Sequence, residues 1–366
     1  MTGRYPKHQL YINFCVALGI LYLVLYRVLQ QNAWNGVLMS HSRAKAPETE
    51  HVYNSQMPAS LEYVYNPPEQ SGIYDPGRPF SIDPSFIEHL DLPPKSFFQL
   101  TNATVRKFVF VTAVDTSHFA EAKDCIASIQ HNFPDHHILL YDLGLEKWEI
   151  NQVNIWCNVD YRKFDVKAYP KHVGRITHKA FKFLVIQEVL AQYGAAFWID
   201  ASFRATDPVD SWQDIFDLAL HNGGIVMVYN ETGEMPLTNY AWSDPYMFQF
   251  LPTDLDVQKS LIQQCSCAVL IYNTEFVFRH VLWWMYLCSL ERECITRASG
   301  TASVDWQNLD PEELKTTFVV HRYDQSALNT ILGNLFGYDQ SKYTTVDNHN
   351  IIKRMPTDMY QVKTCR

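Results

Sequence analysis

An apolar run, Ala195-Ala-Phe-Trp-Ile199, ends in a carboxylate, Asp200, followed by two small residues, Ala201 and Ser202. A helix-like stretch from Ile176 to Tyr193 precedes it and is closed by Gly194. Helix, glycine, buried strand and acid, in that order, place a charged group at the carboxyl end of a strand, where α/β sheets hold ligands. A carboxylate there can ligate a divalent cation on a nucleotide diphosphate. A strand-end cap is the plainer reading.

Other polar residues offer related chemistry. Asp115 follows the apolar run Phe108–Val114 and can contact a nucleotide at the same rim or cap the next turn. Lys179 and Lys182 lie one turn apart on the predicted helix, after His178, where they can reach phosphates or form a solvated face. Arg204 is a further cation four residues past Asp200. Asp324 and Gln325 open an apolar helix, a position suited to capping and compatible with a site. Sugar transfer from a nucleotide donor needs such parts. The diphosphate must be neutralised by a metal, by cations or by helix N-termini. The sugar must be oriented over an acceptor hydroxyl, and a carboxylate or amide must stand near the anomeric carbon. Trp242, Tyr246 and Trp306, in loop-like stretches, could stack on an acceptor sugar or simply pack.

The elements that must position these residues alternate. Strands are predicted over Phe108–Val114, His137–Tyr141, Val159–Phe164, 195–200, Gly224–Tyr229 and Ala268–Tyr272. Helices are predicted over His118–Phe133, 176–193, Phe276–Leu290, with a heavy aromatic face, and Tyr323–Leu335. The expected fold is α/β, a mostly parallel sheet covered by helices on both faces. No GxGxxG follows the first strand, and there is no P-loop, G-x-S-x-G or zinc-protease helix.

In order, strand–helix–strand, Tyr193-Gly-strand-Asp200-x-Ser202, Cys267-Ala-Val-Leu-Ile-Tyr-Asn273 and His321-Arg-Tyr-Asp-Gln-Ser-Ala-Leu-Asn329 resemble the GT-A glycosyltransferases. The pattern is most similar to glycosyltransferase family 8, of the glycogenin and galactosyltransferase type, and to animal, notably nematode, single-pass membrane proteins with the same core. It covers roughly residues 106–340. In that family an Asp-x-Asp strand end binds manganese and the diphosphate. Asp200 matches the first aspartate and Ser202 stands in place of the second. The resemblance implies Mn2+ or another divalent cation. The serine argues against it, because a hydroxyl replaces a carboxylate poorly on a hard cation. Ser266, Cys267 and Ala268 stand where the family has Asn-Ala-Gly beside the sugar. Asp324, Gln325 and Asn329 match its Asp-Gln-Asp-x-Leu-Asn segment, with Ser326 replacing the second aspartate. The resemblance implies that Asp324 positions the donor sugar, that Gln325 lies under the anomeric carbon, and that transfer is retaining. His349 is the weak counterpart of the family's C-terminal metal ligand.

The N-terminus indicates the compartment. Leu10 to Tyr26 carries no charge, follows Arg4, Lys7 and His8, and is closed by Arg27. It reads as an uncleaved signal anchor with its short basic side in the cytosol. A cleaved signal peptide and a buried helix are the rival readings. Residues 1–9 are then a cytosolic tail, 10–26 a transmembrane helix, 27–105 a stem and 106–366 a lumenal domain. Half of the 18 prolines fall between Pro47 and Pro94, within the stem. Its Tyr53, Tyr63, Tyr65, Tyr74 and Phe80 suggest that the distal part docks. Asn102-Ala-Thr104 and Asn230-Glu-Thr232 are N-glycosylation sequons. Seven of eight cysteines lie outside the membrane run, an odd number that leaves at least one free thiol or an intermolecular bridge. Cys265-Ser-Cys267 reads as one disulfide partner beside one buried thiol. A net charge of −9 argues against nucleic acid.

The expectation is a single-pass type II protein of the Golgi or endoplasmic reticulum membrane. It moves a sugar from a nucleotide-sugar donor to a glycan or glycoprotein acceptor. The alternative is a catalytically silent scaffold of the same fold that binds glycans or proteins.

Overall fold

A computed structural model describes residues 62–228, 238–296, 309–345 and 351–365. The predicted membrane run, Tyr53, Asn230, Trp306 and His349 lie outside the described residues. Among the described residues no helix is long and apolar enough to cross a membrane.

In chain order the strands and helices that matter to the site are β1 (Glu62–Tyr63), β2 (Phe80–Ser81), β3 (Val109–Val114), α1 (Phe119–Asn132), β4 (Ile138–Asp142), β5 (Val159–Lys163), α2 (Phe181–Tyr193) and β6 (Ala195–Ile199). They continue with β7 (Phe203–Ala205), α3 (Gln213–Asn222), β8 (Ile225–Met227), β9 (Ala268–Tyr272), α4 (Trp283–Leu290), α5 (Asp324–Leu335) and β10 (Ile352–Arg354). The central sheet has the order β5-β4-β3-β6-β9-β8. β5, β4, β3 and β6 are mutually parallel, and β9 runs antiparallel between β6 and β8. β10 pairs separately with β7.

The apolar runs form strands because alternate residues must be buried on opposite faces. Val109, Val111, Ala196, Trp198, Val269 and Ile271 pack on the face that carries α2, α4 and α5. Phe110, Phe197, Ile199, Leu270 and Tyr272 face α1 and α3, with Trp212 buried among them. β3 and β6 are adjacent and parallel, with Val111 opposite Trp198. Their carboxyl ends therefore share one edge, and Asp115 and Asp200 follow there.

Three elements differ from expectation. The helix predicted over 176–193 is broken: Ile176–His178 is a single 3-10 turn, and Lys179 has φ 55°. A non-glycine residue in that left-handed region costs about 1–2 kcal/mol. There its N–H closes the turn on the Ile176 carbonyl at 3.2 Å. The helix predicted over 276–290 contains a π segment, Phe278–Leu282, ahead of α4. The strand expected over Gly224–Tyr229 runs over Ile225–Met227, and Tyr229 lies outside the described residues.

The segment 62–105 packs on the body. Tyr65 and Phe80 are fully buried, and the rings of Tyr63 and Tyr65 meet Trp283 and Trp284 edge-on at 4.9 and 5.1 Å. Tyr74, also expected to dock, is exposed. Disulfides join Cys157 to Cys365 and Cys288 to Cys294. Cys265 pairs with Cys267, contrary to the reading of those two as separate. Cys125 is a free thiol, and burial pushes its pKa up to about 12.

Candidate active site

Asp200 and Asp324 meet at one ammonium. Lys182, in the first turn of α2, has 3% of its side chain exposed. Its Nζ lies 3.4 Å from Asp200 Oδ1 and 3.1 Å from Asp324 Oδ2. It also donates to the Ser266 carbonyl at 2.6 Å and the Ser266 hydroxyl at 3.1 Å. The Ser266 hydroxyl in turn donates to Asp324 Oδ2 at 2.7 Å. Each element has a local reason to be there. β6 ends where the Asp200 N–H donates to the Cys267 carbonyl at 2.8 Å. α5 begins at Asp324 because Tyr323, at φ 50° and ψ −115°, turns the chain sharply into it. That strained residue is supported by the ring of His178, stacked on its ring at 5.2 Å.

The two carboxylates differ. Asp324 is buried, at 4% side-chain exposure, and bound to Lys182 and Ser266. Asp200 keeps 36% of its side chain exposed. Its Oδ1 takes Lys182 and the Trp198 indole N–H, the latter at 2.6 Å. Its Oδ2 has no hydrogen-bond partner among the described residues. Asp200 is therefore the accessible acid of the pair, and Asp324 the oriented one.

Gln325, next to Asp324, heads a line of buried amides and hydroxyls. Its Nε2 donates to Gln263 Oε1 at 2.7 Å, and Gln263 Nε2 donates to Asn239 Oδ1 at 2.8 Å. Asn239 Nδ2 donates to Gln258 Oε1 at 2.7 Å, and Gln258 Nε2 donates to Thr253 Oγ1 at 2.8 Å. Thr253 donates to Asn334 Oδ1 at 2.8 Å, and Asn334 Nδ2 donates to the Tyr65 hydroxyl at 3.2 Å. Each group donates onward, so turning one amide over would set donor against donor or acceptor against acceptor. The line therefore fixes which end of the Gln325 amide is bound. Its NH2 is held by Gln263, and its carbonyl oxygen has no partner among the described residues.

The remaining residues predicted for the site are placed as follows. Asp115 caps the turn after β3, accepting from the His118 N–H at 3.2 Å, Ser117 Oγ at 2.7 Å and His118 Nδ1 at 2.8 Å. Burial pushes its carboxyl up, and these hydrogen bonds bring it net below the usual carboxylate range. Ser202 lies partly exposed in the turn after β6. Lys179 is exposed, and because of the break before α2 it does not share a helix face with Lys182. Arg204 is fully buried rather than presented to a ligand. Its guanidinium donates to the Ala201 and Phe203 carbonyls and lies 3.8 Å from buried Asp124. Asn329 is fully buried, and its amide bonds both the N–H and the carbonyl of Gln264 at 2.8 Å, tying that loop to α5. The Trp242 ring lies 4.3 Å from the Arg322 guanidinium, and the Tyr246 hydroxyl donates to Glu293 at 3.2 Å. Asn102 is exposed, in a turn where the Thr104 hydroxyl bonds the Gln99 carbonyl at 2.6 Å.

The residues at the edge do not fit a protein-held divalent cation. They are the Asp200 carboxylate, a serine hydroxyl and an ammonium already against that carboxylate, while the other acid of the edge, Asp115, is engaged in capping its own turn. Among the described residues no three His, Cys, Asp or Glu side chains converge to hold a metal.

The line behind Gln325 was not visible in the sequence: Gln263 and Asn239 come from irregular stretches, and Gln258 ends a single helical turn, Leu255–Gln258, too short to show periodicity. The only signal was the density of amides around 258–264.

A family model described as a protein of unknown function (DUF1647) matches residues 54–187. No curated protein matches the sequence. Among solved structures, the galactosyltransferase LgtC in complex with donor and acceptor sugar analogs is similar at 14% identity and a TM-score of 0.35, over 63% of this chain and 70% of that one. Mouse xyloside xylosyltransferase 1 is similar at 12% identity and a TM-score of 0.38, over 66% and 84%. The glycosyltransferase GlyE of Streptococcus pneumoniae is similar at 13% identity and a TM-score of 0.33, over 66% and 46%.

Proposed function

We propose that the chain is a GT-A-like glycosyltransferase that moves a sugar from a nucleotide-sugar donor to a glycan or protein hydroxyl. The observation that carries this reading is the convergence of Asp200 and Asp324 on Lys182 at the carboxyl edge of the sheet. Open α/β sheets hold ligands at that edge. In this reading Asp200 contacts the nucleotide diphosphate or ribose through its unpartnered oxygen. Asp324 orients donor hydroxyls, and the Gln325 carbonyl oxygen stabilises positive charge developing at the anomeric carbon. The acceptor oxygen replaces the diphosphate at that carbon. Lys182 holds the two carboxylates in register. Exposed Lys179, three residues before it, remains the cation for phosphate.

The same reading places the protein in the secretory pathway as a single-pass type II membrane protein with its body in the lumen. It is supported by the uncharged run 10–26 behind a basic start and by the exposed Asn102 sequon. The disulfides Cys157–Cys365 and Cys288–Cys294 suit an oxidising compartment.

The saturation of Lys182 by two carboxylates and Ser266 favours a second reading, a silent scaffold of the same fold. Incubating the full chain with UDP- and GDP-sugars separates the two. Release of free sugar or transfer to an added glycan acceptor supports the enzyme, and binding with no turnover of any donor supports the scaffold.

A further inference from the structure

Ser266 joins the members of the Lys182 cluster, and it sits inside a covalent ring. Its carbonyl and hydroxyl both accept from the Lys182 ammonium, at 2.6 and 3.1 Å, and its hydroxyl donates to Asp324 Oδ2 at 2.7 Å. The residues on either side of it, Cys265 and Cys267, are linked by a disulfide. The Cys267 carbonyl accepts from the Asp200 N–H at 2.8 Å. Lys182, Asp324 and Asp200 are thus all held by Ser266 and Cys267.

The bridge shapes this stretch. An extended chain covers about 6.6 Å over two residues, whereas the Cα atoms of Cys265 and Cys267 are 5.2 Å apart. The chain is drawn in at Ser266, in the turn that leads into β9. The flanks are fixed independently. Asn329 bonds the N–H and the carbonyl of Gln264, and Ala268 begins β9. Opening the bridge therefore frees the 265–267 turn and leaves its surroundings in place. The fold as a whole depends little on it, because so short a loop constrains the unfolded chain far less than the Cys157–Cys365 bridge, whose ends are 208 residues apart.

Cys265 is partly exposed and Cys267 is buried, so a thiolate from solvent attacks at Cys265 Sγ. We propose that the Cys265–Cys267 disulfide positions Lys182 and Asp324 through Ser266, and that a dithiol reductant opens it and releases them. The Cys265–Cys267 bond breaks, a mixed disulfide forms on Cys265, and the Cys267 sulfur leaves as a thiolate that takes a proton. The second thiol of the reductant then displaces the Cys265 sulfur, which is protonated in turn. Two electrons and two protons pass to the chain, and the reductant departs as its own disulfide. The consequence for sugar transfer rests on the function proposed above; the opening of the bridge and the release of Lys182 do not.

The test acetylates the full chain with an N-hydroxysuccinimide ester, oxidised and after treatment with dithiothreitol. Peptide mass spectrometry follows Lys182, and thiol alkylation reports which bridges are open. Reduction is expected to speed labelling of Lys182 at least about tenfold, the worth of one hydrogen bond to a charged group, and reoxidation to restore protection. Cys265→Ser with Cys267→Ser is expected to label fast with or without reductant. Cys157→Ser with Cys365→Ser, which lacks the bridge to exposed Cys365, is expected to respond as wild type does. Thermal midpoints confirm that each form is folded, and the wild-type arm decides the matter if a variant is not. A Cys265–Cys267 bridge that stays closed, Lys182 equally protected in both redox states, or a response lost with Cys157 and Cys365 overturns the inference. Where wild type turns over a donor, reduction is expected to lower kcat and reoxidation to restore it. Absence of turnover with every donor counts against the transfer reading alone, since the labelling needs no donor.

Discussion

Asp200, at the end of a central strand, and Asp324, at the start of a distant helix, lie 3.4 and 3.1 Å from the same Lys182 ammonium. One buried cation thus joins the strand and helix that the proposed reaction needs at one edge. The electrostatics are unequal, since Asp324 and Lys182 are almost wholly removed from water while Asp200 is partly hydrated.

Lys182→Met leaves Asp324 as a buried unpaired charge. Removing one partner of a buried pair costs about 3–5 kcal/mol. The variant is expected to lose stability on that scale in urea denaturation. Lys182→Met with Asp324→Asn is expected to recover more than half of the loss, because the stranded charge is gone. Equal stability of the single and double variants would show that Asp324 is not the partner that matters.

The buried amide line sets the orientation of Gln325. Asn239→Leu strands Gln258 Oε1, at about 1–3 kcal/mol, and leaves Gln263 Nε2 only its bond to the Ser326 hydroxyl at 3.2 Å. Stability should fall accordingly. Where turnover is measurable, kcat should fall with little change in KM, because the Gln325 carbonyl is proposed to act on charge present in the transition state. A KM effect alone would separate the line from Gln325.

His321 is buried, and burial lowers its pKa to about 4. It accepts from the Asp244 N–H at Nδ1, 3.1 Å, and lies 3.0 Å from the Ile295 carbonyl at Nε2, which fixes the neutral Nε2–H tautomer. The folded pKa lies below the unfolded one, so between about pH 6.5 and 4 the unfolded state binds more protons. Stability is full above that window and falls as pH drops through it, by roughly 3 kcal/mol in total. Urea midpoints from pH 7.5 to 4 should show the decline. His321→Asn should flatten it, and an unchanged slope in that variant would assign the effect elsewhere.

Mn2+ alone, at millimolar concentration and without nucleotide, is expected to leave the thermal midpoint unchanged, since Asp200 lies beside an ammonium and Asp115 caps its own turn. A midpoint rise abolished by Asp200→Asn would contradict that assignment.

Much of this architecture could be read from the chain, and the limits have physical causes. The runs 195–199 and 268–272 were legible because strands buried on both faces are continuously apolar. Asp200 stood out as the polar break at the end of such a run, and Asp324 as an acid at the capping position of a helix. Burial of a single long side chain has no such signature. Lys182 and Lys179 look alike in sequence, yet one is buried between two acids and the other is exposed beyond a left-handed break. Arg204 looked like a phosphate cation, but it belongs to a buried contact with Asp124 that depends on how β7 crosses α1. The Cys265–Cys267 pairing and the amide line depend on loop conformations that no periodicity encodes.

The most direct test measures sugar release and transfer by the full chain, using the best donor found among UDP- and GDP-sugars, for wild type, Asp324→Asn and Gln325→Ala. Loss of an electrostatic stabiliser of this kind lowers kcat about 10²–10³-fold. The account predicts turnover by wild type and a fall of that order in both variants, with folding intact by circular dichroism. Turnover by the variants equal to wild type would contradict the proposed site, and the absence of turnover with every donor would contradict the enzyme.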